Sequence, residues 1–247
     1  MAIHMVAYSA ALSTTVTRRA PVSDTVIRSS STAFVLERPM HAVAAYAGAA
    51  GITSARISLP RSLLSPAYIR PIDVAANPVT DPNVYRIDPP LTIEPATDLA
   101  MEAAGSSGTL FGIVLLRDRF EPVPAGEAAR VYFVQTSAQT PTAGAWTSLT
   151  NVLWSTGGIA GRWAITGMEI FRTDIIAARL ILQRQLWRPG TIGMQAVGGR
   201  THNMFSDGSL GVMGTFSTYS PPTIEILTAG TPGSTVCEGS LRAVRIE

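Results

Sequence analysis

The clearest strand signal in the sequence is Ala178-Arg-Leu-Ile-Leu-Gln-Arg-Gln-Leu-Trp187, at the start of the last quarter of the chain. Leu180, Leu182 and Leu186 alternate with polar side chains, a period typical of a β-strand with one buried face. The turn Arg188-Pro-Gly190 follows, in which proline fixes φ and glycine accepts a positive φ. The stretch therefore predicts a fold built from strands and tight turns.

Similar runs extend this prediction along the chain. We expect strands at residues 52–59, 109–116, 130–134, 162–172, 191–197, 222–228 and 235–246. Residues 98–104 and 173–178 are each compatible with one helical turn. The alanine-rich stretch 42–50 fits either a short helix or a strand of small residues. Prolines are dense between Pro60 and Pro95, which excludes long helices and central strands there and predicts loops and sheet edges.

The length of 247 residues is enough for one large all-β domain or two small ones. Two short echoes, between 51–57 and 164–170 and between 105–108 and 208–211, hint at an internal repeat. Matches this short arise by chance in a chain rich in Gly and Ser. The number of domains therefore stays open at this point.

The composition is poor in charge. Charged residues make up 15% of the chain, against about 25% in ordinary globular domains. A surface with so few charges predicts that much of it is buried in contacts with another molecule, and another copy of the same chain is the simplest partner. The chain contains no lysine, so all nineteen cationic side chains are arginines. Arginine suits buried contacts, although a GC-rich genome would produce the same bias.

Several function classes are disfavoured by the residue types. The net charge of +2 and the scattered arginines lack the footprint of a dedicated nucleic-acid binder. The single cysteine, Cys237, excludes an intrachain disulfide framework and is expected to be a small core residue. No apolar run approaches the ~20 residues of a membrane helix. Residues 1–12 lack a basic segment before their apolar part, which argues against a secretory signal, while a transit peptide stays possible.

Candidate catalytic residues are few. A hydrolytic triad needs a base, most often histidine, and the chain has only His4, His41 and His202. Ser206 and Asp207 follow His202, but the same residues make an ordinary polar turn loop. We therefore expect no catalytic residue, and an enzyme that uses His202 and Asp207 is the weakest of the three functions considered.

Metal and ligand sites are equally sparse in the sequence. No cluster of His, Cys, Asp and Glu has ligand spacing, and the glycine runs lack the lysine and serine or threonine of a phosphate loop. We therefore expect no metal and no cofactor. Of the four tryptophans, Trp163 and Trp187 fall in strand runs, whereas Trp146 and Trp154 are free to act as a stacking platform for a ligand.

The chain ending resembles a known protein family. Residues 223–247 read Thr-Ile-Glu-Ile-Leu-Thr-Ala-Gly-Thr-Pro-Gly-Ser-Thr-Val-Cys-Glu-Gly-Ser-Leu-Arg-Ala-Val-Arg-Ile-Glu, two strand runs joined by a short turn. Together with the Ser- and Ala-rich N-terminal segment and the long Pro-rich connections, this ending is similar to the final strand pair of jelly-roll coat proteins of small non-enveloped icosahedral viruses.

The resemblance implies an antiparallel β-sandwich of jelly-roll type, with long Pro-rich loops. It implies an extended N-terminal arm over residues 1–40 and a shell domain over residues 41–247. The expected function is that of a capsid protein of the virion, which self-assembles into an icosahedral shell around the genome, with copies of itself and other capsid subunits as partners.

The predicted arm departs from the family pattern. Many such coat proteins have a basic arm that binds RNA, whereas this one carries few basic residues, among them Arg18, Arg19 and Arg28. These three arginines are the candidate nucleic-acid contacts, and contact with the genome is expected to be weak or indirect. The alternative function is an all-β adhesin, fibre or carbohydrate-binding module that uses Trp146 or Trp154.

Overall fold

A computed structural model describes residues 3–19, 21–24, 34–36, 38–59, 67–69, 71–73, 85–95, 98–106, 108–124, 129–155, 160–193 and 210–247. Nineteen β-strands and no helix are found within these ranges. The strands form four sheets in a sandwich-like arrangement, and all but one of the strand pairings whose register is defined are antiparallel. The prediction of an all-β sandwich is confirmed.

The chain divides into two compact units. The N-terminal unit comprises Met5–Asp118, and the C-terminal unit comprises Arg119–Glu247 together with Met1–His4. The strands that begin in the first 118 residues are β1 (Ile3–Ala11), β2 (Thr17–Arg19), β3 (Phe34–Val35), β4 (Met40–Ala49), β5 (Ile52–Ser58), β6 (Ala67–Ile69), β7 (Ile72–Asp73), β8 (Tyr85–Ile93), β9 (Asp98–Gly105) and β10 (Thr109–Arg117).

The remaining strands belong to the C-terminal unit. They are β11 (Ala129–Gln135), β12 (Thr147–Ser148), β13 (Leu153–Trp154), β14 (Arg162–Phe171), β15 (Ile175–Ile181), β16 (Gly190–Ile192), β17 (Gly214–Ser217), β18 (Thr223–Thr228) and β19 (Glu238–Arg245). One sheet has the order β13-β11-β19-β14-β17, and the other has the order β12-β18-β15-β16.

The two units repeat one strand order. The N-terminal sheets run β1-β10-β4-β8 and β2-β9-β5-β6, with the short strands β3 and β7 added to them. If the short strands β3, β7 and β13 are left aside, each unit has eight strands. When these eight are numbered 1 to 8 in chain order within their own unit, both units show the same two sheet orders, 1-8-3-6 and 2-7-4-5. The sequence echo between 51–57 and 164–170 does not detect this repeat, because it aligns a fourth strand, β5, with a third strand, β14.

The core of each unit is apolar. In the N-terminal unit, Met101 of β9 packs so closely on Gly112 of β10 that a Cβ at Gly112 would collide with its sulfur. The two residues lie in different sheets, so the sheets face each other at this point. In the C-terminal unit, Tyr132 makes edge-to-face ring contacts with Trp163, at 5.3 Å between centroids, and with Phe216, at 5.5 Å.

Both predicted helical turns are wrong. Residues 98–104 lie in β9, which pairs with β5 and β2, and residues 175–178 lie in β15, which pairs with β18 and β16. Helix propensity is a weak prior, and here the hydrogen bonds of neighbouring strands override it. The alanine-rich stretch is a strand, β4, in keeping with the second of the two predicted possibilities.

The strand predicted over residues 178–187 is correct only in its first half. Strand β15 ends at Ile181, Arg184 has a φ of 60°, and the Leu186 side chain is 59% exposed. Leu186 therefore does not share a buried face with Leu180. The run predicted at 191–197 begins in β16, and its part beyond Gly193 lies outside the described residues.

Two expectations concern edges and ends. Pro89 and Pro90 lie in β8, whose partner among the described strands is β4 alone, as expected for proline at a sheet edge. In the segment predicted as an arm, β1 is buried from Ile3 to Tyr8 and pairs with β10. The division of the chain into an arm over residues 1–40 and a shell domain over residues 41–247 stays a prediction.

Candidate binding surface

A groove of about 610 Å³ lies on one sheet of the C-terminal unit. It is lined by side chains from β11, β13, β14 and the start of β19. Strand β11 explains why the groove is open, because its burial alternates: Tyr132 and Val134 are buried, whereas Phe133 is 65% exposed. The outward face of the strand is therefore apolar and accessible.

The groove combines an apolar floor with two carboxylates. Phe133, Leu153 and Phe171 supply the apolar surface, and Leu153 is 70% exposed. Glu169 accepts a hydrogen bond from the Ser240 hydroxyl at 3.3 Å. The Gln135 amide donates to Glu238 at 2.9 Å. No cationic side chain is among the described residues that line the groove, so a cationic partner complements its charge.

Trp154 is held at the edge of this groove. Its indole N–H donates to the carbonyl of Pro222 at 2.8 Å, which fixes the ring. The same side chain lines a neighbouring cavity of about 250 Å³, together with Tyr132 and Phe216. Trp154, one of the two tryptophans predicted as a ligand platform, thus lines two cavities.

Trp146 is engaged within the protein. The guanidinium of Arg179 lies over its ring at 4.1 Å from the centroid, a cation–π contact. One face of the Trp146 ring is thus covered by Arg179, and its role as a ligand platform stays a prediction.

Arg179 belongs to a buried ion cluster around Glu225. Arg179 Nε donates to Glu225 Oε2 at 2.7 Å, and Arg188 Nη1 donates to the same oxygen. The Ser148 hydroxyl donates to Oε1 at 3.3 Å. The Arg179 side chain is 1% exposed and that of Glu225 is 8% exposed. Buried charges require such pairing, so the cluster reads as a structural element that ties three strands together.

A second buried cluster is centred on Arg172. Its Nε donates to Asp174 Oδ1 at 2.6 Å, and its other nitrogens donate to the carbonyls of Gln139, Gly233 and Thr235. The side chain has no exposed surface. The cluster therefore joins the turn before β15 to the segments that precede β12 and β19.

Cys237 lies beside this cluster and is fully buried, as the sequence predicts. Burial raises the pKa of its thiol to about 12. The nearby carboxylates of Asp174 and Glu238 act in the same direction, and Arg172 opposes them. The thiol is therefore neutral and poorly nucleophilic at ordinary pH.

Two of the three arginines predicted to contact nucleic acid lie within the described residues. Arg18 and Arg19 are in β2, which pairs with β9, and both are half-buried. Arg18 Nη2 forms an ion pair with Asp98 at 3.4 Å. Arg28 lies outside the described residues. Contact of these arginines with a genome stays a prediction.

Two of the three histidines considered as catalytic bases, His4 and His41, lie within the described residues. His4 is buried, and its Nδ1 accepts a hydrogen bond from the Arg188 amide at 3.1 Å. Nδ1 of His41 lies 3.1 Å from the Thr92 hydroxyl. His202, Ser206 and Asp207 lie outside the described residues.

The described residues contain neither a metal-binding cluster nor a membrane-spanning helix. Among them, no group of three or more His, Cys, Asp or Glu side chains is placed to hold a metal ion. The described part of the chain also has no helix long and apolar enough to cross a membrane.

The sequence did not lead us to Phe133, Leu153, Glu169 or Glu238 as site residues. A signal was present in Arg130-Val-Tyr-Phe-Val134, where a strand pattern places Val131 and Phe133 on one face and Tyr132 and Val134 on the other. Both faces are apolar, so the run does not show which face is buried. Only the fold places Leu153 and the two carboxylates beside Phe133.

Comparison of the chain with protein-family models, with curated proteins and with solved structures finds no match.

Proposed function

We propose that the protein is a viral capsid subunit that self-assembles into a closed shell around a genome. The observation that carries the proposal is the strand order 1-8-3-6 and 2-7-4-5, found in both units. Eight antiparallel strands in two sheets are characteristic of the jelly roll, a fold of viral capsid and lectin domains. On this proposal, the chain is two jelly rolls in tandem.

Exposed apolar side chains support a role in assembly. Phe133, Leu153, Leu186 and Tyr219 are 65%, 70%, 59% and 84% exposed, and all four lie in the C-terminal unit. Apolar surface of this kind marks protein–protein contacts when it is contiguous, and Phe133 and Leu153 share one groove. Copies of the same chain, with or without other capsid subunits, are the proposed partners.

Contact with the genome is proposed to be weak or indirect. Arg18 already pairs with Asp98, and the net charge of the whole chain is only +2. Phosphate neutralisation by a subunit of this kind requires many copies acting together. We propose no catalytic activity and no cofactor for the described residues.

Light scattering coupled to size-exclusion chromatography, followed by negative-stain microscopy, tests the proposal. We expect particles far larger than the 26.1 kDa chain, with a uniform shell-like outline. A stable monomer at high protein concentration would contradict the proposal.

A carbohydrate-binding module is the second candidate, and the placement of Trp154 is the observation that favours it. The side chain lines two adjacent cavities and is fixed by its bond to Pro222. Glycan binding that Trp154→Ala abolishes, in a protein that stays monomeric, would replace the capsid proposal with this one. Binding that is insensitive to Trp154→Ala would exclude the groove as the glycan site.

A further inference from the structure

The groove on β11, β13, β14 and β19 has a complementary surface elsewhere in the same unit. Strands β15 and β16 are joined by residues 182–189, which we call the cationic turn. It contains two arginines and no acidic residue. Arg184 and Leu186 are both exposed in it, and Leu186 is 59% exposed. The turn thus presents a cation beside an apolar side chain, whereas the groove presents carboxylates beside an apolar floor.

The cationic turn is held in place by hydrogen bonds. The backbone N–H of Gln185 donates to the Leu182 carbonyl at 3.2 Å, and the backbone N–H of Leu180 donates to the Pro189 carbonyl at 2.8 Å. Nε2 of Gln185 donates to the carbonyl of Thr215 at 2.6 Å. A turn fixed in this way loses little conformational entropy when it binds, which favours its use as a docking element.

The turn and the groove of one copy cannot meet. The turn is anchored to Thr215 of β17, and Thr215 pairs with Ala164 of β14. Glu169 lies five residues further along β14, a distance of about 17 Å at 3.4 Å per residue. The groove then extends from β14 towards β13, away from β17. Any contact between the two surfaces therefore joins different copies.

We propose that the cationic turn of one copy docks into the groove of the next copy. Arg184 pairs with Glu238 and Glu169, and Leu186 packs against Phe133 and Leu153. The groove volume of about 610 Å³ is ample for these two side chains. The inference deepens the assembly proposed above and rests on it.

This contact is heterologous, because two different surfaces of the chain meet. Each docked pair of copies leaves one turn and one groove free for further copies. A heterologous contact produces a ring when its rotation closes and an open filament when it does not. Docking of this kind is therefore suited to building the rings of a closed shell.

Charge reversal tests the proposal directly. Glu238→Arg and Arg184→Glu both change exposed side chains, so both variants should fold. We expect each to raise the protein concentration needed for half-assembly about tenfold, and the double variant to restore it to within about threefold. Glu94→Arg, the same charge reversal at an exposed position in the other unit, is the matched control and should change it less than about twofold. The docking would be overturned if the two single variants assembled at the same concentration as the wild type. It would also be overturned if the double variant did not restore assembly.

A disulfide test does not depend on stable assembly. Phe133→Cys and Leu186→Cys place a thiol in the groove and on the turn, and the native Cys237 is buried. Mixed under oxidation, the two variants should form a cross-linked heterodimer well above the dimers that either forms alone. Equal yields of all dimers would overturn the docking.

The outcomes separate the two proposals. If the protein assembles into shells but the Phe133→Cys and Leu186→Cys variants do not form the disulfide with each other, the docking is overturned and the capsid function is retained. A wild type that stays monomeric would overturn the capsid function, and the cross-link would still decide on the docking. Quenching of Trp154 fluorescence by a glycan, removed by Phe133→Ala, would make a sugar the occupant and overturn the docking.

Discussion

The two units share one strand order but differ in how their sheets are covered. In the N-terminal unit, every residue of β4 except His41 is buried, so both faces of this strand are covered. The equivalent sheet of the C-terminal unit contains β11, on which exposed and buried residues alternate. Strand β1, which holds the same place as β11 in the repeated order, is buried from Met5 to Tyr8. Topology alone therefore does not determine whether a sheet keeps an open face.

The units also differ in where they place their ion pairs. The pairs Arg18–Asp98 and Arg56–Glu102 of the N-terminal unit have arginines that are 29% and 33% exposed. In the C-terminal unit, the side chains of Arg172 and Arg179 are 0% and 1% exposed. The ion pairs of the C-terminal unit around Arg172 and Arg179 are therefore the ones whose charges must stay paired because water does not reach them.

Removal of a buried partner should have the largest effect. Asp174→Ala leaves Arg172 without its carboxylate, and we expect a loss of about 3 to 5 kcal/mol in the free energy of unfolding of the C-terminal unit. All four tryptophans lie in that unit, so urea unfolding followed by tryptophan fluorescence measures it selectively.

The matched control is Glu102→Gln in the N-terminal unit. Its partner Arg56 is partly exposed, so we expect a loss below about 1 kcal/mol, measured by circular dichroism. Equal losses for Asp174→Ala and Glu102→Gln would contradict the contrast between buried and surface pairs.

An intermediate effect is expected where the N-terminal sheets face each other. A Cβ added by Gly112→Ala collides with the Met101 sulfur. The Met101 side chain is flexible, but it is surrounded by a packed core and has little room to move away. We therefore expect the free energy of unfolding to fall by about 1 to 3 kcal/mol, measured by circular dichroism. Val131→Ala, at a side chain 46% exposed in the other unit, is the control and should cost less than about 0.5 kcal/mol. A larger loss of stability for Val131→Ala than for Gly112→Ala would contradict the close packing of the two N-terminal sheets at Gly112.

The smallest effect concerns the only thiol. The folded-state pKa of Cys237 is about 12, above the ordinary 9.0. A pKa raised by folding stabilises the fold below about pH 9, and this stabilisation is lost as the pH rises towards 12. At pH 8 we therefore expect native protein to resist iodoacetamide, with alkylation only in denaturant, as mass spectrometry would show. Rapid alkylation of native protein would mean that the C-terminal core opens readily.

Much of the fold was predictable from the sequence because strand periodicity is local. The runs at 109–116 and 162–172 are strands β10 and β14, and the ending at 223–247 contains β18 and β19. Residues 98–104 were misjudged because alanine and methionine carry helix propensity, while pairing with a distant strand decided the outcome. The repeat was not detectable, since the two units share strand order but little sequence.

The binding surface was predictable only in part. Trp154 lines the groove and the neighbouring cavity, while its role as a ligand platform stays a prediction. Trp146 had the same sequence signature, yet Arg179 covers one face of its ring. That contact joins residues 33 positions apart, and no local pattern reports it. The carboxylates of the groove were hidden for the same reason.

Sedimentation velocity over a wide range of protein concentration tests the central claim most directly. A self-assembling subunit should pass from small species to one large, uniform particle as the concentration rises, and electron microscopy of that fraction should show closed shells. A single species of 26.1 kDa at every concentration would contradict the account.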